Sequence, residues 1–187
     1  MAIHSNESQL ITDRLLRSWI RCRRKAWLDT YGEKKKRIWS AHRTLQLDHQ
    51  HLSFVSYINN YLGNGLRGCE EGAPFILGLR IKGEAPSGQL IAAHSPLLKK
   101  IDGVSKWGKY SYVPVITRQG KNITREHKLS LSLNALLLEQ TQESPVKKGI
   151  AISKKLTGLI VEDIHLTKKF ADQLLVNLVR IREDLKL

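Results

Sequence analysis

The sequence predicts a single α/β domain with a central mixed β-sheet flanked by α-helices. The chain has 187 residues, enough to bury a core, and its hydrophobic fraction of 41% is typical of globular proteins. The spacing of its apolar residues is helical at first, becomes typical of short strands, and then returns to helical. The predicted order of elements is therefore helices, then strands, then helix–strand–strand–helix, which indicates an α/β domain with a mixed sheet. We assign one domain, 1–187, with a helical N-terminal part (9–65), a sheet core with its following helix (75–155) and a C-terminal helix (167–183).

Two helices are predicted in the N-terminal part. The first covers 9–31, with Thr12 and Asp13 at its N-cap and Gly32 at its end. Its apolar stripe consists of Leu15, Leu16, Trp19, Ile20 and Trp27. The second covers about 40–61 and is ended by the stretch LGNGLRG. Its residues expected to face the core are Leu45, Leu47, Leu52, Val55 and Ile58.

Short strands are predicted after Pro74. Four of them are expected over 75–83, 88–94, 95–103 and 109–117, with the turn APSG in the first pair and the loop DGVSKWG in the second. The helical period returns at Thr124, and its apolar stripe of leucines continues to about Gln142. Strands are expected over 146–153 and 156–166, before the final amphipathic helix.

The charge balance favours a polyanionic partner. There are 31 Lys and Arg against 17 Asp and Glu, a formal net charge of +14 with a pI near 10.0. We expect this partner to be nucleic acid; a basic protein that is merely soluble, or that docks on an acidic partner, is the alternative. The basic residues concentrate in 14–37 and 99–128, and Trp107 lies in a polar turn where it can stack on a base. The candidate nucleic-acid-binding residues are Arg21, Arg23, Arg24, Lys25, Lys106, Trp107, Lys109, Arg118 and Lys121.

Targeting and cysteine features point to a cytoplasmic protein without a membrane partner. The start MAIHSNESQLITDRLL lacks the pattern of a secretory signal, and no apolar run approaches the roughly 18 residues of a membrane span. The two cysteines, Cys22 and Cys69, give neither a disulfide framework nor a metal cluster.

Several segments, read together, resemble a known family. LLRSWIRCRRKAWLDTYG (15–32) resembles the opening helix of RecB-type nucleases of the PD-(D/E)XK superfamily, and YVPVITRQGK (112–121) is similar to their central strand. REHKLSLSLNALLLEQTQ (125–142) resembles the helix that follows it, and VKKGIAIS (146–153) the next strand. The resemblance extends over 9–155, and it implies a restriction-endonuclease-like fold and a DNA nuclease that depends on Mg²⁺ or Mn²⁺.

The chain departs from this family where the chemistry would lie. Such a nuclease needs carboxylates on adjacent strands to hold metal, and a lysine to stabilise developing charge. By resemblance, the place of the first acid holds Pro96 or Leu97, and the place of the second acid holds Ile116. Arg118 stands at the place of the lysine. On the following helix, Ser130 and Asn134 stand where the family has Gln and Tyr. His49 alone fits a family position, as a metal ligand. Cys22 is similar to an iron–sulfur ligand of some relatives, but no cysteine follows Cys69, so we expect no iron–sulfur cluster.

The acids themselves support an inactive site. Between Gly72 and Arg125 they are Glu84 and Asp102 only, and Asp102 is the candidate for a relocated catalytic acid. Arg118, the other catalytic candidate, can bind phosphate but cannot hold a metal. We therefore predict a nucleic-acid-binding protein without a cofactor, with Ile116 buried. The alternatives are an active Mg²⁺- or Mn²⁺-dependent DNA nuclease with relocated acids, and an interaction subunit of a DNA repair or recombination complex.

Overall fold

The computed structural model describes residues 10–33, 41–58, 62–120 and 122–187, and a seven-stranded mixed β-sheet flanked by six helices runs through them. The strands are β1 Ile11–Thr12, β2 Leu62–Asn64, β3 Phe75–Glu84, β4 Leu90–Ser105, β5 Gly108–Thr117, β6 Lys148–Lys155 and β7 Gly158–His165. The helices are α1 Asp13–Arg21, α2 Arg23–Tyr31, α3 Ala41–Tyr57, α4 Gly65–Glu70, α5 Arg125–Gln142 and α6 Lys168–Leu185. The predicted class, a single α/β domain with a mixed sheet, is confirmed.

The long strand β4 organises the sheet. The spatial order is β2-β3-β4-β5-β6-β7, and β1 also pairs with β4. β4 pairs with β3 along one edge, while its other edge pairs with β1 near Ile91 and with β5 from Leu97 onward. The pairs β1–β4, β2–β3 and β5–β6 are parallel, and the other pairs are antiparallel.

The helices cover the sheet in layers. α5 packs against β3, β4, β5 and β6, and it is in turn contacted by α1 and α6. α3 packs against β5, β6 and β7. The main core lies under α5, where Leu129, Leu133 and Leu137 are fully buried against apolar residues of the strands.

The predicted helix over 9–31 is two helices. Cys22 has an extended backbone (φ −163°, ψ 115°) and separates α1 from α2. The predicted ends are right: the Thr12 hydroxyl accepts a hydrogen bond of 3.1 Å from the Leu15 amide, and α2 ends at Gly32. Because the break redirects the second helix, the apolar stripe does not continue through it, and Trp27 is 51% exposed. Its assignment to the stripe was wrong.

The predicted core face of the second helix is also wrong. Four of its five residues are exposed, namely Leu45, Leu47, Leu52 and Val55. α3 instead faces the sheet with Ser53 and Phe54, and the Ser53 hydroxyl accepts a hydrogen bond of 3.1 Å from the Lys154 amide on β6. A polar contact to a strand therefore orients this helix, which apolar spacing alone does not reveal.

The strand predictions differ from the structure in several places, and β1 and β2 were not predicted. The two strands expected over 88–94 and 95–103 are one strand, β4, because β3 pairs with it continuously from Leu90 to Lys99. The loop expected between 102 and 108 is shorter, since β4 extends to Ser105. The expected helix at Thr124 is confirmed as α5, and the strands and helix that follow it are confirmed as β6, β7 and α6.

Candidate nucleic-acid interface

A cavity of about 460 Å³ lies where α1, α3 and α5 meet the strands β4 and β5. We call it the central pocket. Four of its lining residues are those that the family resemblance placed at metal-binding or neighbouring positions: Pro96, Ile116, Ser130 and Asn134. The structure therefore brings together, in one cavity, positions separated by up to 38 residues in the sequence.

Strand register and helix spacing explain this convergence. Leu97 pairs with Val115 across β4 and β5, so the next pair in this antiparallel register is Pro96 with Ile116. Ser130 and Asn134 are four residues apart on α5, and side chains at this spacing share one helix face. Asn134 is held in place because its amide accepts a 2.5 Å hydrogen bond from Ser95 and donates one of 2.8 Å to the Ser130 carbonyl.

Ile116 is buried, as predicted. It is 8% exposed and packs with Leu131, Ala151 and Ile164. The side chain therefore closes the floor of the central pocket with hydrocarbon. Neither Ile116 nor Pro96 offers an oxygen ligand from its side chain, which hard divalent cations require.

Three arginines line the central pocket: Arg17 and Arg21 from α1, and Arg43 from α3. Nη2 of Arg17 lies 2.9 Å from a carboxylate oxygen of Asp13, and Nε of Arg21 lies 2.5 Å from Glu126. The pKa of Arg43 is lowered, first by its burial and then by the positive charges of Arg17 and two further arginines. These like charges repel one another across the cavity, and an anion between them would relieve that repulsion.

Of the described residues that line the pocket, six ionisable ones were not among the site candidates from the sequence: Asp13, Arg17, Arg43, His94, Glu126 and His127. Asp13 and Glu126 lie in the first turns of α1 and α5, where acids are common for helix stability, so their sequence context did not distinguish them. Both are held by arginines. In the described part of the chain, no three His, Cys, Asp or Glu residues are grouped so as to hold a metal ion.

The surroundings of His127 favour its neutral form. Its Nδ1 accepts a hydrogen bond of 3.2 Å from the Thr124 amide, which completes the capping box of α5. Burial lowers the pKa of His127; Glu126 opposes this shift, while neighbouring arginines, including Arg21, add to it. A phosphate in the pocket would raise the pKa of His127 by supplying negative charge.

The candidate acid Asp102 lies away from the central pocket. It is six residues beyond Pro96 along β4, a distance of about 20 Å at the usual rise per strand residue. It is exposed and borders a different depression, together with Tyr57 and Lys99. The structure does not bring this carboxylate to the positions of the family's metal ligands.

Two further site candidates also lie outside the residues that line the pocket. Nε2 of His49 lies 3.2 Å from the backbone carbonyl oxygen of Lys154. Because a carbonyl oxygen only accepts hydrogen bonds, Nε2 is the donor in this contact. Arg118 is 5% exposed, with Nη2 3.0 Å from Glu162 and Nη1 donating to the Gly120 carbonyl at 3.0 Å. Arg118 would have to leave these partners to reach a phosphate.

The basic residues around the α1–α2 break have different surroundings. Arg21 lines the central pocket. Arg23 lies over the ring of Trp19 at 5.2 Å and 3.5 Å from Asp184. Nζ of Lys25 is 3.3 Å from Asp29, and Arg24 is exposed.

The basic residues of the β4–β5 turn lie away from the central pocket. Lys106, Trp107 and Lys109 lie at the turn between β4 and β5, and Lys109 is seven residues from Ile116 along β5, or about 23 Å. The Trp107 ring packs edge-on against Tyr112 at 5.8 Å, and Nζ of Lys106 lies 5.7 Å from it. Lys121 and residues 34–37 lie outside the described residues.

Comparisons with known proteins support the fold. No family model and no curated protein matches the chain. Among solved structures, the crystal structure of SSO0001 superposes with a TM-score of 0.57 at 15% sequence identity, over 98% of this chain and 78% of that chain. At this identity the similarity shows a shared fold. Within the described residues, no helix is long and apolar enough to cross a membrane.

Proposed function

We propose that this protein binds nucleic acid, with DNA as the expected ligand, and that it resembles RecB-type nucleases without cleaving its ligand. One observation carries the proposal. The guanidinium groups of Arg17, Arg21 and Arg43 line a cavity in which Pro96 and Ile116 stand where the resemblance places metal-binding acids.

The arginines provide the chemistry for backbone recognition. A guanidinium group stays charged and offers several donors in a plane, a geometry that matches a phosphate. Each phosphate that is neutralised releases counterions, which favours binding at low salt. Two carboxylates of the described residues, Asp13 and Glu126, line the pocket and would repel an anion. Each is paired with an arginine, Asp13 with Arg17 and Glu126 with Arg21, and this pairing offsets the repulsion.

The residues of the pocket do not fit a two-acid metal centre. A metal-dependent nuclease holds its cation with carboxylates that converge from adjacent strands. Here the strand positions carry an isoleucine and a proline, and Asp102 lies about 20 Å along β4. This supports binding without hydrolysis.

The test combines binding and cleavage in one set of samples. Labelled single-stranded DNA, double-stranded DNA and single-stranded RNA are incubated with the protein in Mg²⁺, in Mn²⁺ or in chelator. We expect a bound complex at low salt and no cleavage above the chelator control. Metal-dependent cleavage that is lost in Glu126→Gln, Asp13→Asn or Asp102→Asn would contradict the proposal and favour a nuclease with relocated acids.

A second candidate function is an interaction subunit of a DNA repair or recombination complex. The observation that favours it is the outer face of α3, where Leu45, Leu52 and Val55 are 65%, 58% and 59% exposed. Contiguous exposed apolar residues are typical of protein contact sites. If no nucleic acid binds at low salt, this second function takes precedence, and the three residues are the first to substitute in partner-binding assays.

A further inference from the structure

Two neighbouring depressions meet at Asn177 on α6. One, of about 410 Å³, runs along α6 past Lys168 and Lys169, and the other, of about 290 Å³, lies against the α1–α2 break at Cys22. Three residues line both depressions: Arg125, Asn177 and Arg180. We call these three residues the α6 site.

The α6 site is strongly positive. Of the described residues, six basic ones line the two depressions, Arg21, Arg23, Arg125, Lys168, Lys169 and Arg180, and one acid, Asp172. Arg21 and Arg23 are paired with acids outside the two depressions, at 2.5 Å and 3.5 Å. Arg125 and Arg180 are exposed, and neither forms an ion pair with another described residue. Their charges are therefore available to an anion.

A second observation, independent of charge, points to a ligand with acceptor atoms. Asn177 is 2% exposed, and its amide Nδ2 is buried without a hydrogen-bond partner among the described residues. Buried donors are nearly always satisfied, because leaving one unpaired costs free energy. An anion at the junction of the two depressions would supply the missing acceptor. α5 begins at Arg125, so the positive end of an 18-residue helix also lies beside the site.

We propose that the α6 site binds a phosphate group, with Arg125 and Arg180 as charged donors and the amide of Asn177 as the buried donor. The phosphate can come from a nucleic-acid backbone or from a free phosphate compound. Arg21 lines both the central pocket and the depression at Cys22. A strand that occupies the central pocket can therefore continue to the α6 site; this continuation rests on the proposed function, whereas phosphate binding itself does not.

Cys22 provides a direct reporter for this site. It is exposed and lines the depression, while Cys69, the other cysteine, is fully buried. Iodoacetamide, an uncharged reagent, should therefore alkylate Cys22 in the folded protein. We expect inorganic phosphate to slow this alkylation by up to about threefold, relative to chloride at equal ionic strength, when the phosphate concentration is about twice its dissociation constant.

Matched variants separate the site from general charge. Arg125→Gln combined with Arg180→Gln should abolish the protection by phosphate, while Lys82→Gln combined with Lys154→Gln, which removes the same charge at exposed lysines on β3 and β6, should retain it. Asn177→Leu keeps the number and branching of the side-chain heavy atoms and removes the buried donor; it should reduce the protection without lowering the melting temperature. Protection that is unchanged in Asn177→Leu would contradict the role of the amide.

The source of the phosphate is resolved by a parallel arm with a DNA oligonucleotide. If the oligonucleotide protects Cys22 at concentrations where phosphate has no effect, a nucleic-acid backbone is the source. If phosphate protects Cys22 while no oligonucleotide binds the protein, the α6 site stands and the proposed function fails. If neither phosphate nor the oligonucleotide protects Cys22 or raises the melting temperature more than chloride does, the α6 site is refuted.

Discussion

Ile116 determines what the central pocket can bind. It occupies the position where the family resemblance implies an acid, yet it is 8% exposed and packs with Leu131, Ala151 and Ile164. A carboxylate there would lose hydration without gaining a cation, because Asp13 and Glu126, the acids of the described residues that line the same pocket, are already paired with arginines.

Ile116→Asp should therefore be strongly destabilising. We expect its free energy of unfolding to fall by about 3 to 5 kcal/mol at neutral pH, the usual cost of an uncompensated buried charge. Burial would raise the pKa of the new acid in the folded state, so the loss should be smaller at about pH 4. Urea denaturation at both pH values measures this, with Ile116→Val as the control, expected to cost about 0.5 to 1.5 kcal/mol. Stability equal to that of the native chain would show that water reaches this position.

His127 links the stability of the protein to pH. Burial lowers the pKa of His127 in the folded state, so the unfolded chain takes up this proton more readily. The contribution of His127 to the free energy of unfolding is complete above about pH 6.5, the pKa of an unperturbed histidine. This contribution is lost as the pH falls from there through the folded-state pKa of His127. The free energy of unfolding should thus decrease on acidification in this range.

His127→Gln should reduce that dependence. Glutamine is a favoured residue at this position of a capping box and does not titrate, so α5 should keep its N-terminal cap. Urea unfolding between about pH 5 and pH 7.5 compares the two proteins across the titration range of histidine. An equally steep loss of stability in the glutamine variant would assign the acid sensitivity to another group.

α3 shows how a helix can present apolar residues to solvent. Ser53 and Phe54 face the sheet, while Leu45, Leu52 and Val55 on the outer face of the helix are exposed. Replacing Leu45, Leu52 and Val55 together with glutamine should change the free energy of unfolding by less than about 1.5 kcal/mol, since isolated surface substitutions have small effects. Phe54→Ala, by contrast, should cost about 3 to 5 kcal/mol. A large loss in the triple variant, measured by urea denaturation, would mean that this face is covered in the folded protein.

The elements that the sequence predicted well carry their own local signals. α5 combines an N-cap threonine with a regular leucine stripe, and both signals agree with its burial against the sheet. The orientation of α3 depends on tertiary contacts, such as the hydrogen bond between Ser53 and the Lys154 amide. No local pattern encodes these contacts, because their partners lie about 100 residues away in the sequence.

The same distinction applies to the candidate site. The positions Pro96, Ile116, Ser130 and Asn134 were matched through the order of the segments, and they converge in one cavity. The presence of Arg43 and His94 in the lining of that cavity was not predicted, because it depends on how α3 and β4 approach the cavity. Asp102 was chosen for its chemical type, and His49 and Arg118 were chosen by their places in the resemblance. Asp102 borders a different depression, His49 lies against the Lys154 carbonyl, and Arg118 is paired with Glu162.

At the scale of the whole molecule, positive charge is divided between two ends of the β4–β5 hairpin. The central pocket lies at one end, with Arg17, Arg21 and Arg43, and the turn at the other end carries Lys106 and Lys109. The two ends are about 23 Å apart, more than twice the screening length at physiological salt. A nucleic acid held in the central pocket therefore need not contact the turn.

The salt dependence of DNA binding tests this account most directly. We expect the double variant Arg17→Gln, Arg43→Gln to flatten the slope of log K against log salt by about 1.4 to 1.8, the loss of two phosphate contacts. The matched variant Lys106→Gln, Lys109→Gln, which removes the same charge, should leave the slope within about 0.5 of the native value. Circular dichroism and melting first establish that both variants fold. A slope that flattens equally in both variants, or only in the lysine variant, would contradict backbone recognition by the central pocket.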